Sequence, residues 1–342
     1  MNQLNEKKRL LDVLSGRLVD RPPVICPGGM MNAAVTEVLQ GLEGNHNVES
    51  HLMVEVAKRV HDLTGFENYG VPFCMTAEAE PLGVEVHFGS QLVEPRVTAY
   101  SQEPMEDLLK RPQIIPWQEE RMACVLEAIG QLKNDRIPVI GNITGHMSTA
   151  TSVIDPYVMF KDLVKKPDTS YDFLDYINTY LIDYAIEMIK AGADVIAISD
   201  PTATGEILGG RLFKAYALPF YQKFVEALKP YKTPVIFHIC GKSSKIIKIL
   251  DQAGFTALSF DSCVNMAETK RLIGAKLMGN VSTQTLNFEP GSRIEVLTKH
   301  SLKAGVDIVA PACGLGMSTP LESIRTMTQY VKAYGGQDQN ED

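Results

Sequence analysis

Thr233-Pro-Val-Ile-Phe-His-Ile-Cys-Gly241 is the stretch on which the reading of this chain turns. Residues 234–237 read as a short strand, apolar on both faces, that runs straight into a histidine, a cysteine and a glycine. His238 and Cys240 are two apart, so on extended backbone both side chains project to the same side. One nitrogen and one sulfur are thereby offered to a single cation. A third soft donor, Cys313, follows another apolar strand in Val309-Ala-Pro-Ala-Cys-Gly-Leu-Gly316. His238, Cys240 and Cys313 make a three-ligand zinc set with an open position, the arrangement of catalytic rather than closed structural sites. The plainer reading is a satisfied core histidine with two inert thiols. The matching strand-end placement of Cys313 favours the metal.

Outward from this stretch the pattern repeats. A helix over 216–228 precedes it, and helices over 244–252, 267–273, 293–304 and 321–333 alternate with strands over 256–260, 276–279 and 307–310. Upstream, helices over 118–133 and 171–191, the second ending at Gly192, alternate with strands over 137–141 and 194–198. Helical patterns over 33–40 and 48–63 and strands over 24–26 and 69–73 complete the set. The strand candidates start at Val24, Tyr69, Ile137, Asp194, Pro234, Thr256, Lys276 and Asp307. Eight mostly apolar strands, mostly separated by helices, predict an α/β fold, a single (β/α)8 barrel of the TIM type. A helix over 4–15, broken by Asp20-Arg-Pro-Pro23, predicts an N-terminal helical extension over 1–20. Extended segments over 84–88 and 92–97 predict a small insertion near residues 77–100, outside the barrel. Residues 335–342 form a polar tail, and residues 1–342 otherwise read as one domain.

The bulk numbers narrow the function. A net charge of −8 argues against a nucleic-acid partner, which calls for a basic stripe. No apolar run reaches bilayer length, and the opening residues lack a signal-peptide core. Six scattered cysteines do not form a disulfide framework, so a reducing cytoplasm is the expected compartment. No glycine-rich nucleotide fingerprint follows an early strand.

Barrel enzymes carry their chemistry at the carboxyl ends of the strands. There the sequence puts Asn142, Asp200, His238, Cys240, Asp261, Asn280 and Cys313. Asp261 reads either as a displaceable fourth metal ligand or, with Asn265, as a helix cap, and Cys263 is its rival for the fourth position. Asp200 is expected to orient substrate or a supporting histidine, or to cap the next helix. Asn142 and Asn280 are candidate substrate donors or plain turn residues. His146, in Thr144-Gly-His-Met-Ser148, is a candidate for the face of a large ligand. Two thiolates neutralise a zinc dication and make it a poor Lewis acid toward carbonyls. It stays a good binder of a third thiol, which coordination deprotonates at neutral pH. The reaction that fits is alkyl transfer to sulfur; a hydrolase would favour harder ligands and a general base.

Ser199-Asp-Pro-Thr-Ala-Thr-Gly-Glu-Ile-Leu-Gly209, Phe237-His-Ile-Cys-Gly241, Met278-Gly-Asn-Val-Ser282 and Ala310-Pro-Ala-Cys-Gly314 with Thr319-Pro320 resemble the uroporphyrinogen decarboxylase superfamily. Within it they resemble the methylcobamide:coenzyme M methyltransferases, over about residues 21–330. The resemblance implies the same barrel, zinc on His238, Cys240 and Cys313, a methylcobamide (corrinoid) donor on a carrier protein docked at the barrel mouth, and a small thiol acceptor such as coenzyme M. The decarboxylase branch, metal-free and acting on a porphyrinogen or a small acid, is the rival. Its arginine-rich segment has no counterpart in Val24-Ile-Cys-Pro-Gly-Gly-Met-Met31. Homocysteine or a tetrahydrofolate is the alternative acceptor.

Overall fold

A computed structural model describes residues 4–27, 35–90 and 93–334 of the chain. Seven strands form one parallel sheet: β1 (Tyr69–Val71), β4 (Val139–Thr144), β5 (Val195–Ser199), β6 (Val235–Ile239), β7 (Ala257–Phe260), β8 (Lys276–Val281) and β9 (Ile308–Pro311), paired in that order. Every residue of β4, β5, β6, β7 and β9 is buried, as expected for strands covered on both faces.

The eighth stave is a fragment around Val24. It bridges β9 in parallel at Val309, where Ile25 N–H donates to Val309 O (3.0 Å) and Val309 N–H to Pro23 O (2.9 Å). On its other side Glu67 N–H donates to Val24 O (2.9 Å), and the Asn68 amide brackets the backbone of Cys26. The sheet is therefore closed into a barrel. Pro22 and Pro23 have no N–H to give, which keeps this stave from extending into a longer ladder.

The helix Glu6–Leu14, capped by Asn5, sits under the amino end of the barrel. It inserts Arg9, which is buried and donates to Glu67 (2.9 Å) and Asp20 (2.7 Å). Arg21 meets the same Glu67 at 2.6 Å. Two guanidiniums around one buried carboxylate thus knot the extension to the closing stave. The insertion is a hairpin of β2 (Glu85–His87) and β3 (Arg96–Ala99), antiparallel with a register shift at Glu85/Val86. The second of these strands starts later than the sequence suggests, and residues 91–92 lie outside the described residues.

Several bounds differ for identifiable reasons. The third stave ends at Thr144 rather than 141, because Ile143 and Thr144 continue the ladder against Ile198 and Ser199. The helix ending at Gly192 starts at Pro167, where proline suits the first turn. Residues 146–165, given no element by the sequence reading, form the helices His146–Val153 and Pro156–Lys165. The helical pattern over 33–40 is the short helix Thr36–Leu39, with 33–34 outside the described residues, as are the Gly28-Gly29 loop and the polar tail over 335–342. Among the described residues no helix is long and apolar enough to cross a membrane.

Candidate metal centre

The strand β6 is sorted by its aromatic residues. Phe237 stacks on Phe255 and meets Tyr221 of the helix Leu218–Leu228, each at 4.6 Å between ring centroids. It therefore faces the helices, and alternation turns His238 to the barrel interior. Two residues on, Cys240 leaves the strand on the same side, as the sequence spacing predicts. Gly241 then turns sharply with φ +70°, a left-handed conformation that costs glycine little. Cys313 arrives from the end of β9.

The three donor atoms converge. His238 Nε2 lies 3.2 Å from Cys240 Sγ, which lies 2.9 Å from Cys313 Sγ. All three ligand atoms fall within 4.8 Å of one another, and among the described residues this is the one such group that could hold a metal. Donors this close lie within reach of one zinc ion, whose bonds run about 2.3 Å to sulfur and about 2.0–2.1 Å to imidazole nitrogen. The nitrogen and two soft sulfurs also match the chemistry of zinc rather than of magnesium or calcium. The two sulfurs are in hydrogen-bond contact: the bond to Cys240, against burial and with His238 beside it, holds the Cys313 thiol below the ordinary range. The same bond and burial push Cys240 up.

The other sequence candidates are held by the protein itself. Asp261 is not among these three convergent donors. Its Oδ2 accepts from Gly241 N–H (2.9 Å), and its Oδ1 accepts from Ser262 Oγ–H (3.2 Å) and Cys263 N–H (3.3 Å). Cys263 is exposed and outside the group too. Asp200 has no exposure. It accepts from Ser148 N–H (2.8 Å) and Oγ–H (2.6 Å), Met147 N–H (3.3 Å) and Tyr221 O–H (2.8 Å). It caps a helix, but His146–Val153, which follows the neighbouring strand β4, and not the next one along the chain. Gly145 makes room for it: a Cβ there would lie 2.3 Å from the Asp200 carboxylate.

His146, expected to face a ligand, is instead buried against Phe220 and Tyr221, and its Nε2 meets Tyr216 O at 2.9 Å. Burial lowers its pKa, against the opposing charge of Asp200 and the bond to Tyr216. Asn142 is inside β4, not at its end, and donates to Val71 O (3.2 Å). Asn280 donates to Asp261 O and Val264 O, both at 3.0 Å, and so holds the loop after β7.

Two polar residues of the interior escaped the sequence reading. Ser259, fully buried, sits opposite His238 in the ladder, with its Oγ 3.0 Å from His238 Nδ1. A lone serine inside the apolar run Ala257-Leu-Ser-Phe260, two residues before Asp261, was the available signal. Glu78 is buried in the loop after β1, where its carboxylate accepts from Thr144 N–H (2.8 Å) and Oγ–H (3.0 Å). Burial pushes that carboxyl up. No periodicity marks a loop residue of this kind.

Comparison with known proteins gives the same direction. The profile of the family described as uroporphyrinogen decarboxylase (URO-D) matches residues 5–334. The chain is 32% identical over 346 residues to the methylcobamide:CoM methyltransferase MtaA of Methanosarcina barkeri, covering 98% of this chain and 99% of that one. It is 32% identical over 340 residues to the methylcobamide:CoM methyltransferase MtbA of Methanosarcina mazei, with the same coverage. A solved methyltransferase from Methanosarcina mazei superposes with a TM-score of 0.89 at 29% identity, over 97% of this chain and 99% of that one.

Proposed function

The chain belongs to the uroporphyrinogen decarboxylase (URO-D) family and stands with its methyltransferases, and on that premise we propose that it moves a methyl group from a methylated corrinoid to a small thiol. The observation that carries this reading is the convergence of His238, Cys240 and Cys313 at the ends of β6 and β9. His238, Cys240 and Cys313 would hold zinc there, and the ion would lower the pKa of an added thiol so that it is presented as a thiolate at neutral pH. The protein's part is to hold two sulfurs and one imidazole with one position open. The acceptor sulfur attacks the methyl carbon in line; the C–S bond forms as the Co–C bond breaks, and its electron pair stays on the corrinoid as Co(I). The acceptor's proton leaves to solvent when the thiol binds. Coenzyme M is the acceptor named for the relatives MtaA and MtbA, and a small thiol of that kind is the acceptor proposed here. A corrinoid carrier protein docking over the mouth completes the scheme. The barrel, with its N-terminal helix and hairpin, is taken as one domain, working in a reducing cytoplasm that keeps the thiols free.

The test is consumption of methylcobalamin by the zinc-loaded protein with a panel of thiols, including coenzyme M and homocysteine. Methyl transfer to one of them, absent in metal-stripped protein, is the expected result. Decarboxylation of a porphyrinogen by metal-free protein, with no thiol methylated, would replace this reading by the family's other chemistry.

A further inference from the structure

We propose that Ser259 in β7 and Asp261 just past its end brace the metal site, each fixing one donor of the neighbouring β6: Ser259 through the His238 ring, Asp261 through the amide that follows Cys240. This rests on the metal reading above.

The imidazole has two nitrogens, and a metal donor needs a lone pair on the one that faces the site. His238 Nε2 faces the Cys240 sulfur at 3.2 Å, while Nδ1 lies 3.0 Å from Ser259 Oγ. An Nδ1–H donated to Ser259 puts the lone pair on Nε2. The two residues are register partners in the parallel ladder, so the backbone itself sets their spacing. Ser259 has no exposure, so no bulk water competes for the bond.

Cys240 needs a different device. It lies beyond β6, where the ladder has ended and Gly241 turns left-handed. A bond from the Gly241 N–H to Asp261 Oδ2 (2.9 Å) fixes the peptide on the carboxyl side of Cys240. Asp261 is itself held through Oδ1 by Ser262 and Cys263, and its carbonyl accepts from Asn280. The carboxylate thus works on the turn, through a backbone amide, rather than on the ion. Residues of this kind are positioning residues. Their loss lowers metal affinity by about 10–100-fold when the donor they orient is freed.

The experiment measures zinc affinity of the full chain by competition with a chromogenic chelator, for wild type, Ser259→Ala, Asp261→Ala and Asp261→Asn. Circular dichroism melts show that each variant folds. Cobalt(II) spectra supply a second readout. Ser259→Ala is expected to bind zinc about 10–100-fold more weakly. In that variant the cobalt ligand-field bands shift while the thiolate charge-transfer band persists, which a general loosening of the fold would not produce. Asp261→Ala is expected to lose about tenfold, and Asp261→Asn, whose amide oxygen still accepts from Gly241, to stay within about threefold of wild type. Asp261→Asn as weak as Asp261→Ala would make the carboxylate a ligand and overturn its part in the brace. Ser259→Ala with wild-type affinity and an unshifted spectrum would overturn the other part. A wild-type protein that takes up no zinc would defeat the metal reading and the brace together.

Discussion

Replacing Asp200 by asparagine separates a scaffold residue from a substrate residue. The carboxylate has no exposure and accepts four hydrogen bonds, from Ser148 N–H and Oγ–H, Met147 N–H and Tyr221 O–H. An amide keeps one acceptor oxygen and turns the other corner into a donor. If the oxygen stays on Ser148, the NH2 faces Met147 N–H, which is left without an acceptor, while Tyr221 O–H can rotate. Each buried donor left unpaired costs about 1–3 kcal/mol, and loss of the charge weakens the bonds that remain. The total is roughly 2–4 kcal/mol, a drop in Tm of roughly 3–6 °C for a chain of this size. The assay is thermal unfolding alongside methyl transfer measured well below both transitions. The expected outcome is the full loss in Tm with kcat and KM changed by less than about threefold, which is less than about 0.7 kcal/mol in the barrier. A variant that melts with wild type but loses turnover would show that Asp200 touches substrate and would refute the helix-cap assignment.

Cys240→Ala and Cys313→Ala are each expected to remove most of the zinc and most of the thiol methylation, with near-UV circular dichroism unchanged; elemental analysis and turnover check both. Gly241→Ala is expected to weaken zinc binding, because the added Cβ must adopt φ +70° and lies 3.0 Å from the Glu206 carboxylate; chelator competition reads it. Glu67→Gln is expected to destabilise by about 3 kcal/mol, since Arg21 loses its carboxylate partner and Arg9 is left with Asp20 alone; unfolding in urea measures it. In wild type, burial raises the Glu67 pKa, but the hydrogen bond and charge of Arg21 with Val24 N–H and Arg9 outweigh it, and the net shift is downward. A folded pKa below the unfolded one means that this contribution is complete above the ordinary glutamate range. It is lost as pH falls through the depressed value, so Glu67→Gln should flatten the acid limb of a stability–pH profile.

The barrel was legible because its staves are apolar on both faces and end in residues of a different kind. Period two placed His238 and Cys240 on one side, and strand-end equivalence brought in Cys313, 73 residues away. What stayed hidden was the partner of each polar group. Asp200, Asn142 and His146 look alike in sequence whether they face a ligand or the protein's own backbone and hydroxyl groups, and only tertiary packing assigns their hydrogen bonds. The bond of Asp261 to the Gly241 amide was hidden because that amide lies on the neighbouring strand's turn, 20 residues away. Ser259 was concealed by its small size in an apolar run, and Glu78 by its loop. The first stave was read from three apolar residues and is in fact that short.

The most direct measurement is zinc-edge X-ray absorption on the zinc-loaded protein before and after adding the thiol that it methylates. One zinc per chain is expected, with two sulfurs at about 2.3 Å and one imidazole nitrogen at about 2.0–2.1 Å. A third sulfur should appear at the same distance once the thiol is present. A protein that holds no zinc, or a sulfur count that stays at two when the acceptor is added, would contradict this expectation.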